Sequence, residues 1–141
     1  MSDLDRVLKT FKKSFRNYRP PESITVSQWA ERYRVLSREN SAEAGPWRNA
    51  RTPYLTEIMD CFTDPQIRKI SLVSSSQCGK SELELNVIGY IIDQDPGSIL
   101  YIQPTIDDAK KFSRLRIAPM IRDSQTLRRK VADVKSRDSG N

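Results

Sequence analysis

Residues 67–103 constrain the fold more than any other part of the chain, because three textures follow one another there at fixed spacing. Residues 67–74 (Ile-Arg-Lys-Ile-Ser-Leu-Val-Ser) read as a strand, and a Ser-rich loop follows. From Lys80 onward, Leu83, Val87, Ile88, Ile91 and Ile92 mark a buried helix of about three turns. Asp95-Pro96-Gly97 turns the chain, and residues 98–103 (Ser-Ile-Leu-Tyr-Ile-Gln) read as a second, apolar strand. Strand, loop, helix, turn and strand make a βαβ unit, which predicts a right-handed crossover, a parallel pair and an α/β fold.

The loop between the first strand and the helix carries the chemistry. Residues 74–81 match G-x-x-x-x-G-K-[ST] at every defined position but the first, where Ser74 stands for glycine. Backbone N–H groups of Ser76, Gln77 and Cys78 and of the first helical turn can wrap a β-phosphate, and Gly79 permits close approach without a Cβ. Lys80 reaches the β- and γ-phosphates, and the Ser81 hydroxyl is placed for Mg²⁺. The expected ligands are therefore ATP and Mg²⁺. A Ser-rich turn that merely caps a core helix is the other reading of the same residues. An ATPase of this type also needs an Asp on a later strand for the metal and a neighbouring Glu for the attacking water. Asp93 falls inside the helix that follows the loop, and Asp107 and Asp108 read as the first turn of the next helix, where acids complement the macrodipole. None of the three is expected to hold the metal. Two strands do not make a covered parallel sheet, so the expected architecture is a partial P-loop core, an incomplete domain that hydrolyses ATP negligibly by itself.

Elsewhere the pattern is helical. Leu4, Val7, Leu8, Phe11 and Phe15 lie on one stripe of a helix that Pro20-Pro21 forbids from continuing. A short helix is expected from Ser27, packing through Trp29, Ala30 and Tyr33. Thr52-Pro53 reads as an N-cap and first helical position, opening a helix with Leu55, Ile58, Met59 and Phe62 on one face and an end near Asp64-Pro65. Thr105 caps a further helix that Pro119 is expected to interrupt. The division that results is a helical basic arm and linker over 1–50, then the first half of a P-loop ATPase domain over 51–141, ending before the metal-binding Asp.

Charge and composition narrow the partners. With no His and two Cys, the usual general base, the commonest zinc ligand and a disulfide framework all fall away. No apolar run reaches the roughly 18 residues of a membrane span. Residues 1–20 hold six basic and two acidic side chains, and residues 109–130 hold eight basic and one acidic, around an acidic middle. Such flanks attract polyanions, double-stranded DNA above all, and Lys110, Lys111, Arg114, Arg128 and Arg129, with Arg116, are the candidate contacts. Contact with a neighbouring subunit fits these residues equally, and so does plain solvation of helix faces. The basic N-terminal helix could dock a partner or pack on the body through Phe11 and Phe15. Trp29 and Trp47 could stack on bases or fill the core.

The order of these pieces resembles the N-terminal part of the large terminase subunit of tailed bacteriophages, of the GpA type. The resemblance runs over most of residues 20–125: Ser27-Gln28-Trp29-Ala30, Gly45-Pro46-Trp47 before Pro53-Tyr54, the degenerate phosphate loop, Pro104-Thr105 with Ala109 and Phe112, and Pro119 with Ile121-Arg122-Asp123. It implies an ATP-driven motor that packages viral DNA into a procapsid, fused in full-length members to a metal-dependent nuclease, acting as a homo-oligomer with a small terminase subunit and a portal in the host cytoplasm. Lys80 and Ser81 would then hold ATP·Mg²⁺. The chain departs from the family's pattern twice: residues 74–77 lack the extra basic residue, and the glutamine that contacts adenine would fall at Leu55. A helicase-like DNA translocase fragment, or a basic DNA-binding module with a fortuitous Gly79-Lys80-Ser81, are the alternatives.

Overall fold

The computed structural model describes Val7 and residues 22–131. The expected helix over residues 3–16 thus lies outside the described residues but for Val7. The first element, α1 (Val26–Tyr33), begins at a reciprocal cap: the Thr25 side chain accepts from the Gln28 N–H while the Gln28 side chain accepts from the Thr25 N–H. It buries Val26, Trp29 and Ala30 and is stopped by extended backbone at Arg34. A two-residue hairpin ladder follows, β1 (Val35–Leu36) antiparallel to β2 (Gly45–Pro46), with Val35 opposite Pro46 and Leu36 opposite Gly45. Gly45 sits at φ +127°, where a side chain would be strained.

After a 3₁₀ turn (Asn49–Arg51), α2 (Pro53–Asp60) starts with proline in its first turn. Thr52 occupies the N-cap position, but its hydroxyl makes no capping bond and is buried without a partner, so the expected side-chain cap does not form. Leu55 and Met59 are buried as expected, whereas Phe62, in the 3₁₀ turn Cys61–Thr63, is 46% exposed. The tightening from α-helical to 3₁₀ pitch after Asp60 rotates Phe62 off the apolar face.

The longest element among the described residues is α3 (Lys80–Asp93), buried along Leu83, Leu85, Asn86, Val87, Ile88 and Gly89. Trp29 lies so close to it that a Cβ at position 89 would stand 2.4 Å from the ring, which is why a glycine is needed in the middle of this helix. At the end of α3, the buried Asp93 carboxylate accepts from Trp29 Nε1 at 2.8 Å and pairs with Lys130 Nζ at 2.8 Å. Trp29 and Trp47 are both core residues, so stacking on bases is not open to them in this structure.

The C-terminal helices run as α4 (Ile106–Phe112), a π turn (Ser113–Ile117), α5 (Ala118–Asp123) and α6 (Gln125–Lys130). Thr105 caps α4 by accepting from the Asp108 N–H at 3.1 Å. Pro119 does not interrupt this run. The wider π turn absorbs it, and the carbonyl of Leu115, four residues earlier and without a proline N–H to bond, accepts instead from the Asn40 side chain.

The expected parallel pair is absent. Residues 67–74 and 98–103 carry no ladder, and β1 with β2 is the only sheet among the described residues. The architecture is a helical assembly with a small antiparallel sheet. A parallel strand is stable only with ladder partners and covering layers together. Here Val73 and Leu100 stand 96% and 86% exposed. Residues 98–103 are held to the body chiefly through Tyr101, which stacks on Phe112 at 4.5 Å and donates to Glu84 at 2.6 Å. Among the described residues no helix is long and apolar enough to cross a membrane.

Candidate functional site

The loop over 74–79 meets α3 through two residues in the left-handed region. Gln77 has φ +57° and Gly79, the N-cap of α3, has φ +84°. A Cβ at 79 would also lie 3.0 Å from Leu55 Cδ1, so that side chain would have to give by a few tenths of an ångström. Leu55 is thus a buried support beneath the loop. The base-recognising glutamine that the resemblance places at this position has no counterpart in it.

Side chains hold the loop from both sides. Tyr54 donates its hydroxyl to the Cys78 carbonyl at 3.2 Å. Lys80, in the first turn of α3, folds its ammonium back to the carbonyls of Ser74 at 3.1 Å and Ser75 at 2.5 Å. The Cys78 sulfur lies 3.1 Å from the Ser74 hydroxyl, and this hydrogen bond lowers the thiol below its ordinary pKa, opposed by slight desolvation and helped by the Lys80 charge. Ser74 to Gln77 and Ser81 are exposed.

The first backbone bond into this turn runs from Leu83 N to Gly79 O at 3.0 Å, so the N–H groups before Leu83 find no helical acceptor and face outward with the positive end of the helix dipole. Left-handed glycine, free N–H groups, a lysine and an exposed hydroxyl are a donor set that fits a polyphosphate. Among the described residues no group of three His, Cys, Asp or Glu could hold a metal, so a divalent ion would have Ser81 and the phosphates for ligands. A concavity of about 250 Å³ opens beside Gly79, with Leu36, Ala42 and Trp47 on its apolar side and Arg48 and Arg51 on its rim.

One carboxylate in the first turn, Glu82, was not singled out by its sequence context. Its two oxygens are taken by Arg34 Nη2 at 3.0 Å and Arg116 Nη1 at 3.4 Å. Arg34 is buried, and desolvation lowers its pKa against the opposing pull of Glu82 and, further off, Asp123. The acidic residues weighed as metal ligands lie elsewhere: Asp93 ends α3, and Asp107 and Asp108 open α4.

The candidate DNA contacts divide. Arg116 turns inward to Glu82 and to the Asn40 carbonyl. Lys110, Lys111 and Arg114 are exposed on α4 and the π turn, Arg128 and Arg129 on α6, and none of these five joins a salt bridge among the described residues.

Known proteins share this arrangement of sequence. The family model for the phage terminase large subunit gpA, ATPase domain, matches residues 41–141. The chain belongs to that family. It is 32% identical over 103 residues to the terminase large subunit of Enterobacteria phage P21, covering 73% of this chain and 16% of that protein. It is 29% identical over 126 residues to the terminase large subunit of Escherichia phage lambda, covering 89% of this chain and 19% of that protein. The chain therefore spans less than a fifth of the length of these relatives. No solved structure matches it. The loop over 74–79 and every helix from α2 to α6 fall within the terminase ATPase match.

Proposed function

We propose that this chain is the nucleotide-binding part of a phage DNA-packaging motor, with ATP and Mg²⁺ as its ligands. The observation that carries the reading is the junction at Gly79: a left-handed glycine caps α3, and Lys80 and Ser81 follow in the first turn, inside the region matched by the terminase ATPase family. Ser76, Gln77, Cys78 and Gly79 would present backbone N–H groups to phosphate. Lys80 would exchange its two loop carbonyls for phosphate oxygens, and Ser81 would ligate Mg²⁺, which supplies charge neutralisation at the β- and γ-phosphates when bound. In this reading residues 67–74 and 98–103 are strands of the ATPase fold, parallel to one another where ladder partners are present. The division into arm and linker (1–50) and ATPase half (51–141) belongs to the same proposal, with the linker docked through Trp29.

Lys110, Lys111, Arg114, Arg128 and Arg129 would contact DNA backbone, and the small terminase subunit, the portal and further copies of the motor would be its partners in the host cytoplasm. Calorimetric titration with ATP and Mg²⁺ tests the core of the reading. The wild-type chain should bind, and Lys80→Ala should bind at least roughly tenfold more weakly, as the loss of a direct charge contact to phosphate requires. Equal affinity in the two would overturn it and favour a basic DNA-binding module.

A further inference from the structure

Glu82 poses an electrostatic problem for a phosphate site. It is the third residue of α3, next to Ser81, where the free N–H groups and the dipole would draw an anion. A bare carboxylate there would repel the same anion. The structure surrounds it with two cations from remote parts of the chain. Arg34, at the end of α1, has a side chain only 3% exposed and also donates to the Val35 carbonyl. Arg116 comes from the π turn, 34 residues past Glu82, and its side chain is 37% exposed. Two positive charges face the one negative charge of Glu82, while Asp123 acts on Arg34 from further off, so the carboxylate is neutralised before Lys80 is counted.

The two arginines are not equivalent. Arg34 is locked in the core, and Glu82 is the carboxylate bonded to it, so removing Glu82 would strand a buried charge. Arg116 is at the rim and can be replaced while Glu82 keeps Arg34. Its place is fixed by the π turn, whose Leu115 carbonyl is held by Asn40, the residue whose own carbonyl accepts from Arg116.

We propose that Arg116, together with Arg34, neutralises Glu82 so that the first turn of α3 stays receptive to polyphosphate, which makes Arg116 a positioning residue of the phosphate site. The inference rests on the nucleotide reading above and adds to it a residue outside the loop.

The test uses the full chain, titrated calorimetrically with ATP and with inorganic tripolyphosphate. Arg116→Met keeps the stem and removes the charge, and Arg116→Lys keeps the charge. Affinity for both probes should fall roughly tenfold in Arg116→Met and stay within about threefold in Arg116→Lys, with less loss for ADP than for ATP because fewer charges are bound. Raising the salt from about 50 to about 500 mM should shrink the gap between the two variants, since screening weakens the partly exposed Arg116 charge. Both variants should keep the wild-type thermal midpoint within about 2 °C. If the wild type binds and the two variants bind as tightly as it does, or are weakened equally, the Arg116 charge does not serve binding and the inference falls while the nucleotide reading stands. If the wild type binds neither ATP nor tripolyphosphate, the nucleotide reading falls and takes the inference with it.

Discussion

At its last residue α3 is tied down from three directions: Asp93 takes hydrogen bonds from Trp29, Gln94 and Lys130, and Gly89 lets the Trp29 ring lie against the helix backbone. At its first residue the same helix meets a loop whose residues 74–77 are exposed and which is held from outside by a tyrosine hydroxyl and by Lys80 of the helix itself. One end is therefore tied into the core, and the other is held lightly at the surface. In the function proposed above, the loop has to trade its internal contacts for a ligand, and it can do so without unfolding only if its helix is anchored elsewhere. Mutations at the two ends should thus separate into those that change stability and those that change binding.

The largest effect is expected at the anchored end. Trp29→Ala opens a cavity against Gly89 and removes a donor from Asp93, so stability should fall by about 3–5 kcal/mol in urea denaturation. A loss under about 1 kcal/mol would mean that the ring does not pack as described. Gly89→Ala forces a Cβ into the same ring and should cost about 1–3 kcal/mol, because a fully enclosed indole has little room to retreat. Lys130→Met should cost about 1–2 kcal/mol, since Trp29 and Gln94 still serve Asp93.

The same anchor sets an acid dependence. Burial pushes the Asp93 carboxyl up, but hydrogen bonds from Lys130, Trp29 and Gln94 and the Lys130 charge outweigh it and hold the group below its ordinary value. A depressed folded-state pKa means that the unfolded chain binds the proton more readily. The contribution is complete above the unfolded value of about 3.9 and is lost as pH falls through the folded one. Stability followed from pH 7 downward should therefore decline on the acid side, and Lys130→Met should flatten that decline. An unchanged acid limb in Lys130→Met would show that the ion pair is not what depresses Asp93.

The parts of the molecule legible in the sequence are those whose signal is local. Apolar spacing after Lys80, the Thr52-Pro53 start and the Thr105 cap each mark a helix within a few residues, and Gly79-Lys80-Ser81 marks the loop. What stayed hidden depends on distant partners. Nothing in Glu31-Arg32-Tyr33-Arg34 tells the exposed Arg32 from the buried Arg34, because the difference lies in Glu82, 48 residues on. Pro119 predicts a break by every local rule, and the break is averted by Asn40, 75 residues before the carbonyl it serves. The two-residue ladder of β1 and β2 is too short to leave a period. Residues 67–74 and 98–103 carry a strand's composition, but ladders need partners, and none is found for them among the described residues.

At the open end the effects should appear in binding and hardly in stability. Lys80→Ala removes contacts to two carbonyls of an exposed loop, so its unfolding free energy should stay within about 0.5 kcal/mol of wild type even as ATP affinity drops. Tyr54→Phe is the finest probe of the comparison. It deletes one exposed hydrogen bond to the Cys78 carbonyl and leaves the ring in place. The net worth of such a bond is about 0.5 kcal/mol, the lower end for a neutral pair in contact with water. Stability should therefore be nearly unchanged, and affinity for ATP should fall about two- to threefold as the loop samples more conformations before closing on phosphate. A stability loss as large as that of Lys130→Met, with affinity untouched, would place Tyr54 with the anchor and erase the distinction between the two ends of the helix.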